Sequence, residues 1–235
     1  TVLDDSFFVR DDHVACTATA NDGVEDGESV MSEPITILNT IPVILSAAIS
    51  PTEPISTDTL VCTASGASDG DDDPVTVHFG WLINGLASGH TGNTLDATGF
   101  GPGDIIECEA TPQDDIDSGD PVRSDSVQVN VPPVIHSVYI SPTEPTVEDV
   151  LTCNEGAVTD GDGDPVSTTI RWFINGIDIG SDASTLAGGW FARDDEVHCS
   201  ITPFDGIEDG ESVMSEPITI LNTIPVILSA AISPT

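Results

Sequence analysis

The sequence contains no lysine, and its basic side chains are four arginines, Arg10, Arg123, Arg171 and Arg193, set against 41 acidic residues. That imbalance argues against a nucleic-acid partner, because phosphate binding needs clustered cations to displace counterions, and against an anionic membrane surface for the same reason. No run of about 18 apolar residues is present to insert directly into a membrane. No basic, apolar segment opens the chain either, so an export signal or anchor is expected outside it. Aromatic residues make up only 5%, and no N-x-S/T sequon occurs for conventional N-glycosylation.

What is present is enough apolar material, 38% at a mean hydropathy of +0.06, to build packed cores. With 21 Gly and 17 Pro, the composition suits short strands joined by many turns better than helical bundles. A formal charge of −37 opposes compaction unless salt or bound cations screen it.

The five cysteines, Cys16, Cys62, Cys108, Cys153 and Cys199, are spaced by 46, 46, 45 and 46 residues, which points to a repeat. Residues 25–52 recur unchanged at 208–235, a shift of 183. A weaker period of 91 to 92 lies within it: SPTEP at 50–54 and 141–145, SDGDDDP at 68–74 and TDGDGDP at 159–165, WLING at 81–85 and WFING at 172–176. The expected organisation is the C-terminal half of a repeat at 1–41, complete repeats at 42–132 and 133–224, and the first strand of another at 225–235. Period-two runs such as Leu60, Cys62 and Ala64, or Ile106, Cys108 and Ala110, read as half-buried strands, and Pro and Asp-Gly clusters between them as turns.

In each complete repeat a Trp follows the first Cys by 19 residues and a second Cys by 46: Cys62, Trp81, Cys108, then Cys153, Trp172, Cys199. This order resembles the immunoglobulin sandwich, in which a strand C Trp packs on a disulfide between strands B and F. The resemblance implies disulfides Cys62–Cys108 and Cys153–Cys199 and an oxidising, extracellular or cell-surface location. Cys16 is then the second Cys of the truncated repeat, or alternatively a free reactive thiol. The antibody-type Tyr two residues before the second Cys is missing, since Val14, Ile106 and Val197 stand there. Together with SPTEP, DGD-x-DPV and W-x-ING, the pattern looks like the tandem immunoglobulin-like, cadherin- or PKD-like repeats of giant bacterial surface proteins. The fold class expected is therefore all-β, tandem immunoglobulin-like β-sandwiches arranged as an extended rod.

Two acidic clusters recur. Asp69, Asp71 and Asp73, and likewise Asp160, Asp162 and Asp164, alternate along the expected B–C loop. Hard cations take about six to eight oxygens, and carboxylates at every second position with Gly between them resemble the start of an EF-hand loop. No bidentate Glu closes the loop, so further ligands must come from elsewhere. Asp114 and Asp117, and Asp205 and Glu208, fall on the F–G loop, which lies at the same end of such a sandwich. That end also receives the linker ILNTIP at 37–42, so calcium bound there could stiffen a junction between repeats. Acidic Asp-Gly turns without any metal are the alternative.

Catalysis is not expected, because none of the five histidines recurs at an aligned position. Trp190, outside the core signature, reads as an edge cap, or as a platform for a glycan or a protein partner. The readings that remain are the structural region of an extracellular filament, with further repeats and neighbouring identical chains as partners; the stalk of an adhesin whose binding domain lies elsewhere; and a glycan- or protein-binding module.

Overall fold

The computed structural model describes residues 2–231, and the chain divides into two compact units, Thr1–Gln128 and Val129–Thr235. Apart from one 3-10 turn at Asp5–Phe7, every regular element among the described residues is a strand.

The first unit opens with β1 (His13–Val14), β2 (Thr17–Asn21), β3 (Asp26–Met31) and β4 (Ile35–Thr36), in which β1 pairs with β4 and β2 with β3. Neither β2 nor β3 buries a residue. The physical reason is compositional: residues 1–41 contain no Trp strand and no first-Cys strand to lie opposite them. In the second unit the same sequence has a partner sheet, and Ile220, the counterpart of the half-buried Ile37, is completely buried.

The rest of the first unit is a sandwich of β5 (Ser46–Ser50), β6 (Leu60–Ser65), β7 (Thr76–Ile83), β8 (Leu86–Thr91), β9 (Thr94–Leu95), β10 (Ile105–Gln113), β11 (Val122–Arg123) and β12 (Val127–Gln128). One antiparallel sheet runs β5-β6-β9 and the other β11-β10-β7-β8, with β12 also on β10. The period-two pattern puts Ile106, Cys108 and Ala110 of β10 inside. Cys108 bonds to Cys62 of the other sheet, with Cα atoms 6.1 Å apart. Trp81 lies directly opposite Cys108 in the ladder, is 2% exposed, and donates its indole N–H to the Gly92 carbonyl at 2.9 Å. A buried aromatic keeps its polar edge satisfied in this way.

The second unit repeats the plan with β13 (Val134–Ile135), β14 (Val138–Ser141), β15 (Leu151–Glu155), β16 (Val158–Thr159), β17 (Ser167–Ile174), β18 (Ile177–Asp178), β19 (Thr185–Leu186), β20 (Glu196–Phe204), β21 (Val213–Met214) and β22 (Ile218–Thr219). Its sheets are β14-β15-β19 and β18-β17-β20-β21, with β22 also on β20. They are joined by Cys153–Cys199, with Cα atoms 6.2 Å apart, and Trp172 faces Cys199 and donates to the Ala183 carbonyl at 2.7 Å. The W-x-ING motif supplies a two-residue hairpin turn in each unit: Asn84 and Gly85 take φ of 52° and 77°, Asn175 and Gly176 51° and 78°. Both values belong to the type I′ turn that favours Asn-Gly. The chain is thus all-β, built of tandem immunoglobulin-like sandwiches. Of the segment 225–235, residues 225–231 form no strand and residues 232–235 lie outside the described residues.

Candidate metal centre

In the second unit the loop between β16 and β17 folds around Asp160. Its Oδ1 accepts the N–H groups of Asp162, Gly163 and Asp164 at 3.2, 2.8 and 2.9 Å, which winds the chain so that oxygens of Asp160, Asp162 and Asp164 lie within 4.8 Å of one another. The loop after β20 is wound in the same way on Asp205, whose Oδ1 accepts from Ile207 and Glu208, both at 2.7 Å. The linker ties the two loops together. Val131 donates its N–H to Asp162 at 3.0 Å, and the Asn130 side chain donates to Asp205 at 3.0 Å. Gly210 makes room for this path, because a Cβ there would collide with the Pro133 carbonyl oxygen.

After these bonds are made, four buried oxygens around the linker still lack a partner: Asn130 Oδ1, Asp160 Oδ2, Asp162 Oδ1 and Glu208 Oε2. Asn130 is only 3% exposed and Asp205 only 4%. An unpaired buried oxygen carries a desolvation penalty of about 1–3 kcal/mol, more when charged, which water or a cation can relieve. All are hard oxygen donors of the kind calcium takes.

The first unit places the corresponding residues alike. Asp69 Oδ1 accepts from the N–H groups of Asp71 and Asp73, and oxygens of these three residues again lie within 4.8 Å. Thr40 donates its N–H to Asp71 at 2.7 Å. Asn39 donates to Asp114 at 3.1 Å and to Asp117 at 3.0 Å. Asp114 Oδ1 accepts from Ile116 and Asp117 at 2.7 and 2.6 Å. One buried oxygen here, Asp69 Oδ2, lacks a partner. At the linker Asn the difference is Arg10, which ion-pairs with Asp73 and donates to Asn39 Oδ1 at 3.0 Å.

The carboxyls respond to these surroundings. Burial pushes Asp162 up, with the Asp160 carboxyl beside it adding to the rise, while Asp160 is pushed down by the Asp162 side chain beside it and by the loop N–H groups. Burial pushes Asp205 up, yet the N–H of Glu208 and the Asn130 amide outweigh it and hold the carboxyl below its ordinary value. Asp114 is likewise held low, chiefly by the Asp117 N–H.

Of the ten residues expected as ligands, the structure gathers the two Asp triads as clusters and bonds Asp114, Asp117 and Asp205 to the linker Asn, whose following residue reaches the triad, while Glu208 keeps a buried, partnerless oxygen. Sequence reasoning missed Asn39, Asn130 and Arg10. The available signal was the Asn at the same place in each linker, three residues before a Pro at 42 and at 133. Trp190 is 57% exposed. His198 stacks on Phe173 with ring centroids 4.8 Å apart, and His136 bonds to Thr159, both structural placements.

No family model and no curated protein matches the sequence. Among solved structures, the chain is similar to the three N-terminal domains of the bacteriophage RB49 Highly Immunogenic Outer Capsid protein, at 12% identity and TM-score 0.48, over 84% of this chain and 75% of that one. It is also similar to a segment of titin, at 12% identity and TM-score 0.37, over 90% and 76% of the two chains. A third likeness is to the N-terminal eight Ig domains of Down Syndrome Cell Adhesion Molecule, at 17% identity and TM-score 0.34, over 89% of this chain and 27% of that one. The sandwich assignment rests on the strand pairing, the disulfides and the buried Trp residues described above.

Proposed function

We propose that this chain is a structural repeat segment of a long extracellular or cell-surface fibre, whose junctions are stiffened by calcium held between the two acidic loops and the incoming linker. The observation that carries the reading is that the linker reaches both acidic loops: Asn130 is buried, bonded to Asp205 and left with an unpartnered oxygen, and the next residue, Val131, donates to Asp162 of the triad. A cation there would bind linker and sandwich at once, which converts a flexible connection into a stiff one. Near-identical repetition at 183 residues supports a structural role, since each copy then performs the same task and no copy carries a distinctive site. Disulfides in both sandwiches agree with an oxidising compartment. Nothing in the repeated residues has the acid, base and nucleophile roles of a catalytic site, and we read the chain as no enzyme.

Calorimetric unfolding of the chain in millimolar calcium and in chelator tests this. A ligand at 100 times its Kd stabilises the folded state by about 2.7 kcal/mol, which for a sandwich of this size raises Tm by on the order of 10 °C or more. The rise should vanish in the quadruple variant Asp69→Asn, Asp71→Asn, Asp160→Asn, Asp162→Asn. Equal melting temperatures with calcium and with chelator would leave a disulfide-held acidic fibre whose charge serves solubility alone.

A further inference from the structure

The two sandwiches have the same loop architecture but different cations available to it. Linker N–H to loop Asp is made by Thr40 to Asp71 and by Val131 to Asp162, and linker amide to F–G Asp by Asn39 to Asp114 and by Asn130 to Asp205. What differs is the fate of the linker Asn oxygen. Asn39 Oδ1 accepts from Arg10 Nη1 at 3.0 Å, and the same nitrogen pairs with Asp73, whereas Asn130 Oδ1 has no partner. Arg10 is partly buried, with 28% of its side chain exposed, so the pair is shielded more than a surface ion pair.

Counting from the second Cys of each repeat makes the difference systematic. The residue six before Cys16 is Arg10, six before Cys108 is Pro102, and six before Cys199 is Arg193. Arg193 in turn donates to Asn222 Oδ1 at 3.4 Å, the same pairing as Arg10 with Asn39 one 183-residue unit earlier. Among the described residues, no basic side chain pairs with Asp160, Asp162, Asp164, Asp205 or Glu208.

We propose that the Arg10 guanidinium occupies, in the first unit, the place that a divalent cation takes in the second, so that arginine-closed and cation-closed loops alternate along the repeat. The inference rests on the calcium reading above and deepens it by assigning the strong site to one loop of the two. A guanidinium brings one fixed positive charge and several N–H donors that match carboxylate and amide oxygens without any ion having to be dehydrated. Its presence satisfies the linker Asn and neutralises one carboxylate. The linker Asn oxygen is thereby satisfied in the first unit and left partnerless in the second. Within the 183-residue unit this makes one junction independent of the surrounding calcium and the next dependent on it.

The test is calcium titration of the metal-stripped full chain by calorimetry, with terbium luminescence as a second probe. The native chain should show one strong site per chain, abolished by Asp162→Asn, and any second event should be at least tenfold weaker. Arg10→Met, which keeps much of the apolar stem, should add a second strong site that Asp162→Asn leaves intact. Arg10→Gln serves as the companion variant, and retained Trp81 and Trp172 fluorescence in both certifies folding. Two equivalent strong sites in the native chain, or unchanged stoichiometry in both folded Arg10 variants, would overturn the alternation while leaving calcium binding standing. Absence of any binding in the native chain and in every variant would sink both.

Discussion

Asp195 accepts the Ala192 N–H at 2.7 Å and the Asn175 side-chain amide at 2.8 Å, while Asn175 Oδ1 accepts the Glu196 N–H at 3.0 Å. The turn that Asn175 makes at φ 51° is thereby fastened to the start of β20. Asp104 and Asn84 repeat the arrangement in the first unit, with bonds of 2.8 Å from Gly101 and from Asn84. These donors, the Ala192 N–H foremost, hold the Asp195 carboxyl below its ordinary value. Because its folded pKa is depressed, ionised Asp195 adds stability at every pH above the unfolded Asp value of about 3.9, and that contribution disappears as pH falls through the lower folded value. Asp195→Asn should therefore lower the melting temperature at neutral pH, with variant and native curves converging once the pH is below the ordinary Asp range. A gap that persists unchanged into acid would mean that the side chain acts through shape and not through charge.

Strands β15 and β20 meet across the sandwich through Cys153–Cys199, 46 residues apart in sequence. Closing a loop of that length stabilises by roughly 4 kcal/mol in the chain-entropy model, against a domain stability of about 5–15 kcal/mol. Replacing both cysteines by Ala should move the urea midpoint of the second unit down accordingly, while Cys16→Ser, at an exposed and unpaired position, should stay within about 0.5 kcal/mol of native. A loss of the same size from Cys16 would show that the opening hairpin has a partner through that thiol. These elements were legible in the sequence for a simple reason. Period-two alternation and the fixed offset of Trp172 from both cysteines leave few registers that bury all three, and the structure adopts the one that sets Trp172 opposite Cys199. The alternating carboxylates were legible too, because Asp at every second position in a Gly-containing turn converges whatever surrounds it. Asn130 and Arg10 were not: each acts on a loop 30 to 75 residues away, as in Asn130 to Asp205 and Arg10 to Asp73, and no local pattern encodes that distance.

For the whole molecule the governing quantity is the formal charge of −37, carried with no lysine and four arginines. Self-repulsion of that size acts over the Debye length, which shrinks from about 30 Å at 0.01 M salt to about 3 Å at 1 M. Metal-stripped chain should therefore melt at a higher temperature as sodium chloride rises across that range, with both sandwiches shifting together, since screening is indifferent to which loop holds an arginine. Calcium offers two routes to the same rise, diffuse neutralisation and coordination, and salt separates them. At 1 M sodium chloride the diffuse route is already spent, whereas oxygens as buried as Asn130 Oδ1 and Asp160 Oδ2 are poorly screened. The calcium-induced increase in melting temperature should accordingly survive high salt, reduced but present, and be confined to the transition of the second unit. If it vanishes there, calcium acts as one more counterion and the acidic surface does its work collectively, through no single loop.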